Sequence, residues 1–182
     1  MILQGQRILI VGGSSGIGFG LAEAASEAGA LVTVASRSAD KVAATAAKLG
    51  EPAKGEVIDT TDDAGVERFF TDSELFDHVV VSASETKVGA VRELPHADAY
   101  RSMNSKFWGA YRVARAAKIA DHGSLTLVSS FLSIRPQKGA AIQGAINAGL
   151  EGLTRGLALE FAPVRVNCIS PGLVMTEMYN TL

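Results

Sequence analysis

Short runs of β-branched and other apolar residues alternate along the chain with longer segments in which apolar residues recur at helical spacing. The six predicted strands are Arg7–Val11, Leu31–Ala35, Glu56–Ile58, His78–Val81, Ser124–Ser129 and Arg165–Ile169. The five predicted helices are Ile17–Ala28, Ala39–Leu49, Asp63–Phe70, His96–Ile119 and Gly139–Phe161. Nearly continuous apolar strands between helices are typical of a parallel sheet covered on both faces. The pattern therefore predicts an α/β fold, a doubly wound parallel sheet forming a single domain over residues 1–182.

The first predicted helix carries a continuous apolar face. Its members follow the i, i+4, i+7, i+8, i+11 spacing that places side chains on one side of a helix. They are Ile17, Leu21, Ala24, Ala25 and Ala28. We expect this face to pack on the sheet.

Composition and charge narrow the classes of partner. Hydrophobic residues make up 47% and charged residues 20% of the chain, as in an average soluble protein. A net charge of -2 gives no electrostatic reason to expect nucleic acid or a membrane as partner. The start of the sequence does not resemble a signal peptide, and no apolar run approaches the length of a membrane span. The single cysteine, Cys168, excludes an intramolecular disulfide, and its apolar surroundings predict a small buried residue. We expect a cytoplasmic protein with a small-molecule substrate and no metal.

A glycine-rich turn follows the first predicted strand and opens the first helix. Its sequence is Gly12-Gly13-Ser14-Ser15-Gly16-Ile17-Gly18, with glycines spaced as G-x-x-x-G-x-G. Glycines let such a turn tighten and let the backbone approach a pyrophosphate, whose charge meets free N–H groups at the helix start. Ser14 and Ser15 add hydroxyl donors. The turn predicts a dinucleotide site in a sheet of the Rossmann type, the alternative being an ordinary glycine-rich connection.

The end of the second strand indicates which dinucleotide fits. Sites for NAD place an acid there to bind the ribose 2′-hydroxyl, whereas sites for NADP accommodate a 2′-phosphate with arginine. Residues 30–39 contain no acid and one base, Arg37, between Ser36 and Ser38. A guanidinium with flanking hydroxyls suits a phosphate. The sequence therefore favours Arg37 as a contact for NADP(H) over the alternative, a solvated arginine in a loop.

With these residues in place, the chain resembles the short-chain dehydrogenase/reductase family almost from end to end. Ser129-Ser130 ends the fifth strand as the family's catalytic serine motif does, and Asn104 matches an asparagine that holds a proton-relay water. Asp59 matches an aspartate that contacts adenine. The segment from Asn167 to Thr176 looks like the one that covers the nicotinamide. The resemblance and the turn together predict cofactor contacts at Gly12, Ser14, Ser15, Gly16, Ile17, Gly18, Ser36, Arg37, Asp59, Thr60, Ser82, Ala83, Ser84, Pro171, Gly172, Val174 and Thr176.

The sequence departs from the family pattern at the catalytic pair. The family's Tyr-x-x-x-Lys falls, by count from Ser130, on Gln143 and Asn147. In the family, the serine polarises the substrate carbonyl, the tyrosine transfers a proton to or from its oxygen, and the lysine binds the ribose and lowers the tyrosine pKa. A carboxamide exchanges no proton near neutral pH and carries no charge. We therefore place Ser130, Asn104, Gln143 and Asn147 at an atypical catalytic centre. A further departure follows the fourth strand, where Asn-Asn-Ala-Gly is replaced by Val-Ser-Ala-Ser.

Three interpretations remain open. The chain is an oxidoreductase that transfers hydride between NADP(H) and a carbonyl or alcohol, with its proton supplied by another residue such as Lys138 or Tyr179. Alternatively, it is a catalytically weak or inactive NADP(H)-binding pseudoenzyme acting as a sensor, or a structural subunit paired with an active homologue. Three histidines are weaker proton-donor candidates: His78 leads into a strand, His96 starts a helix and His122 precedes the fifth strand in a turn. Retention of the serine and Asn104 favours the enzyme.

Two long predicted helices also bear on assembly. Small residues on the last helix would let another helix approach closely, and they are Ala140, Ala141, Ala145, Ala148 and Gly149. By resemblance the two helices form the family's subunit contacts, so we expect a homodimer or homotetramer. Family members also usually continue for tens of residues beyond the position of Leu182, which predicts either a pocket without its lid or a segment outside this sequence.

Overall fold

The computed structural model describes residues 2–175 as three layers, with helices on both faces of one sheet. The strands are β1 (Arg7–Val11), β2 (Leu31–Ser36), β3 (Lys54–Val57), β4 (Phe76–Val81), β5 (Ile119–Val128) and β6 (Arg165–Ile169). The α-helices are α1 (Gly16–Glu27), α2 (Ala39–Leu49), α3 (Asp63–Asp72), α4 (His96–Met103), α5 (Gly109–Ala116) and α6 (Ala141–Glu160). A π-helical turn, Asn104–Trp108, joins α4 to α5, and a short 3₁₀ helix, Phe131–Ser133, follows β5.

The sheet is parallel throughout and confirms the predicted fold class. Its strand order is β3-β2-β1-β4-β5-β6, so the chain winds outward first on one side of β1 and then on the other. In such sheets the connections that leave the two central strands run to opposite faces and form a crevice outside the carboxyl ends of these strands, here β1 and β4. The register across this junction runs from Ile8 opposite His78 to Val11 opposite Val81.

Alternate residues of each central strand supply two separate cores. On β1, Leu9 and Val11 face a cluster that also contains buried residues of α3, α5 and α6. Ile8 and Ile10 face a second cluster with α1 and α2. Burial on both faces explains why the central strands read as continuous apolar runs. The edge strands differ, because all four residues of β3 are exposed.

Helix α1 packs through a different face from the one that its large apolar residues predict. The buried positions are Gly18, Ala22 and Ala25, whereas Ile17 and Leu21 are 39% and 38% exposed. Small side chains let the helix axis approach the glycine turn and the sheet closely, and this close approach outweighs the burial of larger residues. The predicted face is therefore wrong apart from Ala25.

The predicted helix His96–Ile119 is two α-helices separated by the π turn, and it ends at Ala116. Strand β5 begins at Ile119, several residues before the predicted start. His122 consequently lies within β5 and not in a turn, while His78 lies inside β4. The early part of β5 contains Asp121 and His122, whose polar side chains concealed the strand from the apolar pattern.

Two further expectations concern surfaces. None of the helices in the described range combines the length and apolar character needed to cross a membrane. On α6, the predicted close-approach residues divide, because Ala141, Ala145 and Ala148 are exposed while a Cβ on Gly149 would lie 3.2 Å from the ring of Phe107 in the same chain. Assembly into a homodimer or homotetramer stays a prediction. Cys168 is only partly buried, packed against the core on β6.

Candidate functional site

A cavity of about 590 Å³ lies at the carboxyl ends of the central strands, at the crevice between β1 and β4. It contains most of the residues that the sequence proposes for a dinucleotide. Those that line it are Gly12, Ser14, Ser15, Gly16, Ile17, Gly18, Ser36, Arg37, Thr60, Ser82, Ala83, Ser84, Ser130, Pro171, Gly172 and Val174. Residues from six separate segments of sequence thus converge on one concave surface, which is how ligand sites in doubly wound sheets are built.

The glycine turn has a conformation that only glycine satisfies. Gly12 has φ of 90°, and a Cβ on it would lie 2.5 Å from the backbone nitrogen of Ala83. Gly16 also has a positive φ, of 54°. A Cβ on Gly18 would lie 2.2 Å from the carbonyl oxygen of Gly12. These contacts hold the turn after β1 tightly against the turn after β4, so the cavity floor is backbone.

The start of α1 presents free backbone donors to this cavity. Ser15 occupies the N-cap but its side chain forms no capping hydrogen bond, and no acid occupies the first turn. Helix α2 differs, because the side chain of Ser38 accepts from the backbone nitrogen of Lys41 and Asp40 lies in the first turn. The first N–H groups of a helix need partners and its N-terminus favours an anion. The uncapped start of α1 therefore fits a phosphate group.

The charged side chains that line the cavity are all basic. Three basic side chains line it, Arg37, Lys41 and Lys106, and within the described part of the chain no carboxylate does. At the mouth, Nη1 of Arg37 lies 2.9 Å from Oε2 of Glu85, and both side chains are largely exposed. A ligand with several negative charges suits this lining in a protein whose net charge is -2. Lys41 escaped the sequence analysis because it lies on a helix that the pattern assigns to the surface.

Lys106 is the second base that the sequence analysis missed. It lies in the π turn, partly buried, with Nζ 3.5 Å from the carbonyl oxygen of Ser129. Burial lowers the pKa of Lys106 to about 8, opposed only by a smaller effect of Cys168. Burial also raises the pKa of the Cys168 thiol, which argues against a nucleophilic role for that residue. The Lys106 amine therefore titrates closer to neutral pH than an ordinary lysine.

A carboxylate on α6 ties together the segments around the two serines after β5. Oε1 of Glu151 accepts from the hydroxyls of Ser133 at 2.6 Å, Ser170 at 2.8 Å and Ser129 at 3.1 Å. The hydrogen bond from Ser133, followed by those from the other two, holds the pKa of Glu151 below its usual range despite some desolvation. The hydroxyl of the neighbouring Ser130 accepts from the backbone nitrogen of Leu132 at 3.4 Å, which leaves its own proton free to face the cavity.

The structure places Gln143 and Asn147 away from the cavity lining. Nε2 of Gln143 donates to the hydroxyl of Thr86 at 3.1 Å, which attaches α6 to the segment after β4. Asn147 is buried, and its Nδ2 donates to the carbonyl oxygen of Gln143 at 2.7 Å. Its Oδ1 is buried without a hydrogen-bond partner among the described residues. The side chains of both carboxamides thus make structural contacts within the protein.

Other proposed residues also lie outside the lining. Asp59 accepts from the backbone nitrogen and the hydroxyl of Thr61, at 2.9 and 2.8 Å, while Thr61 itself lines the cavity. Asn104 begins the π turn and contacts Arg112 through its carbonyl oxygen. Lys138 is exposed on the loop before α6. Thr176 and Tyr179 lie outside the described residues.

Comparison with known proteins supports this picture. A family profile described as enoyl-(acyl carrier protein) reductase matches residues 11–182. A short-chain dehydrogenase/reductase of Stachybotrys chlorohalonatus is 32% identical to the chain, over 97% of this sequence and 77% of its own.

Solved structures agree with these matches. A short-chain dehydrogenase/reductase family protein superimposes with a TM-score of 0.93 at 30% identity, covering 98% of this chain and 78% of its own. A small-chain dehydrogenase in complex with NADPH gives a TM-score of 0.84 at 34% identity, over 98% of this chain and 75% of its own. With the parallel sheet, the glycine turn and the paired serines after β5, these matches show that the chain belongs to the short-chain dehydrogenase/reductase family of oxidoreductases.

Proposed function

We propose that the chain binds NADP(H) and transfers hydride between it and a carbonyl or alcohol group of a small molecule, at a site without the family's Tyr-x-x-x-Lys pair. The observation that carries the proposal is the cavity itself, in which an uncapped helix start and three bases converge with no carboxylate in the described lining. An anionic dinucleotide complements such a surface. The structural relative solved with NADPH gives independent support.

The residues divide the cavity into three regions along a dinucleotide. Arg37 and Lys41 suit the 2′-phosphate, and the start of α1 suits the pyrophosphate. Ser130 and Lys106 lie with Pro171 at the end that remains for the nicotinamide. When bound, the nicotinamide supplies or accepts the hydride. The hydroxyl of Ser130 then polarises the substrate carbonyl, since a hydroxyl aimed at developing negative charge stabilises the transition state.

The pair between Arg37 and Glu85 adds a condition to cofactor choice. Both side chains are more than a third exposed, so the ion pair contributes little to stability and opens readily. A 2′-phosphate brings more negative charge than one carboxylate and replaces it as the partner of Arg37. NADH has no such group and leaves the pair intact. Cofactor preference therefore depends on Arg37 and Lys41 together.

Calorimetric titration with NADPH and NADH tests this assignment. We expect NADPH to bind at least about tenfold more tightly, and Arg37→Ala and Lys41→Ala each to weaken NADPH by roughly ten- to 100-fold, the effect of one charge-assisted hydrogen bond. NADH affinity should change little in either variant. The controls Arg68→Ala and Lys54→Ala remove the same charges from exposed positions outside the cavity. Equal affinities of the unmodified protein for the two nucleotides would reject the preference for NADP(H).

A second candidate function, an NADP(H)-binding protein without catalysis, has one observation in its favour. The side chain of Gln143 donates to Thr86 and that of Asn147 donates to the backbone of Gln143, so neither offers a proton to the cavity. Oxidation of NADPH in the presence of aldehydes, ketones and quinones separates the two functions. Binding without turnover of any of these compounds would favour the sensor over the oxidoreductase.

A further inference from the structure

We infer that Lys106 is the proton donor and acceptor of the active site, in place of the tyrosine that the family pattern carries on the last helix. The inference rests on the oxidoreductase function proposed above. Its basis is the position of Lys106, because the π turn delivers this side chain to the cavity wall beside Ser129 and Ser130. The proton source thus comes from the π turn and not from α6.

The hydrogen bonds of Lys106 leave it free to act. Of its three N–H donors, one reaches the Ser129 carbonyl oxygen at a long 3.5 Å, and residues 2–175 provide no acceptor for the others. None of the described carboxylates forms an ion pair with it. A structural lysine would use these donors to satisfy buried acceptors. Instead, Nζ retains donors for a ligand in the cavity.

The carbonyl oxygen of Ser129 fixes where the amine lies relative to the polarising hydroxyl. Ser130 follows Ser129 directly, so Nζ lies beside the backbone from which the Ser130 side chain projects into the same cavity. A substrate oxygen that accepts from the Ser130 hydroxyl is then placed next to the ammonium group. The hydroxyl of Ser129 donates in turn to Glu151, and this hydrogen bond holds the Ser129 backbone in position beside Lys106 and Ser130.

The electrostatics suit a proton transfer near neutral pH. Burial brings the pKa of the amine to about 8, so at pH 7 the ammonium form dominates and the free amine remains accessible. Cys168 on β6 is the titratable group that acts on it, and burial raises the pKa of that thiol, so the thiol stays neutral in the same range. The remaining charged side chains of the cavity lining, Arg37 and Lys41, are also basic.

The reaction balances with this residue as the acid. In the reductive direction, hydride adds to the carbonyl carbon while the π electron pair of the C=O bond moves to oxygen. Nζ gives its proton to that oxygen, which forms the O–H bond of the alcohol. NADPH becomes NADP⁺, and the neutral amine regains a proton from water. In the oxidative direction the free amine removes the alcohol proton.

The first experiment measures the amine itself, without any nucleotide. Reductive ¹³C-methylation of the lysines, with Lys106→Met to assign the resonance, lets each amine be titrated by NMR. We expect the Lys106 resonance to titrate near pH 8 and separately from the other lysines. Titration together with the surface lysines near pH 10 would overturn the inference.

The second experiment compares variants in single-turnover hydride transfer from NADPH. Lys106→Met should slow the step by roughly 100- to 10,000-fold, the usual contribution of a positioned acid. Lys106→Arg keeps the charge but cannot release a proton, so it should not restore the rate. In the unmodified protein the reductive rate should fall as pH rises through the pKa of the amine, and this fall should vanish in both variants. Lys54→Met is the matched control at an exposed position.

Calorimetry and thermal unfolding separate the other outcomes. The inference expects Lys106→Met to fold like the unmodified protein and to retain measurable NADPH binding through Arg37, Lys41 and the start of α1. If the variant folds but no longer binds NADPH, or if Lys106→Arg is fully active, Lys106 acts by charge alone and the inference fails. If the unmodified protein binds NADPH but reduces no carbonyl compound, both the proposed function and this inference are rejected. An active Lys106→Met variant rejects the inference alone.

Discussion

The amino edge of the sheet, where its strands begin, and the carboxyl edge, where they end, both carry polar and ionisable side chains. The two edges differ in how completely these side chains are hydrogen-bonded. At the amino edge, Asp77 accepts from the backbone nitrogen of Arg7 at 2.8 Å and pairs with Nε2 of His122 at 2.8 Å. His78 uses both ring nitrogens, one with Ser124 at 2.9 Å and the other with Gln6 at 3.0 Å. At the amino edge, the Asp77 carboxylate and both ring nitrogens of His78 therefore have hydrogen-bond partners within the protein.

The carboxyl edge leaves comparable groups incomplete. The start of α1 has no side-chain cap, Ser130 accepts one hydrogen bond while its proton faces the cavity, and Lys106 has one long contact. Both edges contain groups with shifted pKa values, since that of Asp77 is lowered chiefly by the hydrogen bond from Arg7. A shifted pKa therefore does not by itself distinguish a site from a structural network. Hydrogen-bonding groups that lack partners beside a cavity do distinguish a binding site from such a network.

The largest expected effect on NADPH affinity and stability comes from adding one methyl group to the glycine turn at the carboxyl edge. Gly18→Ala would place a carbon 2.2 Å from the Gly12 carbonyl oxygen, so the backbone of the turn must shift to accommodate it. We expect NADPH affinity to fall at least about 100-fold and the free energy of unfolding to fall by about 1–3 kcal/mol. Calorimetry and urea unfolding measure the two quantities.

The same helix offers a matched control for this substitution. A Cβ on Gly20 would meet nothing within 4 Å. Gly20→Ala should raise the free energy of unfolding by up to about 1 kcal/mol through helix propensity and leave nucleotide binding unchanged. Similar losses in both variants would show that the effect comes from α1 in general and not from the turn.

An intermediate effect is expected at Glu151, a fully bonded group at the carboxyl edge. Glu151→Gln removes the charge that three serine hydroxyls donate to, and we expect about 1–2 kcal/mol less stability. Hydride transfer should slow about tenfold because the backbone beside Ser130 loses its anchor. NADPH affinity should stay within about threefold. Glu160→Gln, at the exposed end of the same helix, is the control, and an unchanged rate in Glu151→Gln would remove the positioning role.

The smallest effect should come from the amino edge and should concern stability alone. Desolvation lowers the pKa of His78, so its folded-state pKa lies below the unfolded value of 6.5. The neutral ring therefore adds stability above that pH, and the contribution is lost as pH falls below it. In the neutral ring, Nε2–H donates to Gln6 and Nδ1 accepts from Ser124, an acceptor that protonation removes.

Urea unfolding between pH 7.5 and 5.5 should therefore show a decline of roughly 1 kcal/mol that is smaller in His78→Gln. The comparison removes contributions common to both proteins. His96→Gln, at an exposed helix start, should keep the full decline. Catalysis and NADPH affinity should be the same in all three proteins. A loss of NADPH affinity in His78→Gln would contradict the separation of the two edges.

The sequence predicted the parts of the fold that depend on local pattern. The bounds of β1, α2 and β6 agree with the prediction, and the glycine turn lies where its spacing indicated. The apolar face of α1 was wrong because hydropathy ranks Ile17 and Leu21 above Gly18, whereas packing at short distance favours the residue without a side chain. The start of β5 was missed because Asp121 and His122 interrupt its apolar pattern.

The candidate site was predicted less completely, for a different physical reason. Residues adjacent to the turn were found because their function follows from neighbours in sequence. Lys106 and Lys41 lie on helices, where a lone lysine usually indicates a solvated face. Only the tertiary structure shows that both line the cavity. The contact between Gln143 and Thr86 joins residues far apart in the chain and left no trace in either segment.

The π turn at Asn104–Trp108 has a consequence for which side chain reaches the cavity. A π turn holds one residue more than an α turn, so it corresponds to a single-codon insertion in an ordinary helix. Because successive residues of an α-helix are about 100° apart, deleting one residue there would rotate position 106 away from the cavity. The one additional residue of this turn therefore decides whether the side chain at position 106 reaches the cavity.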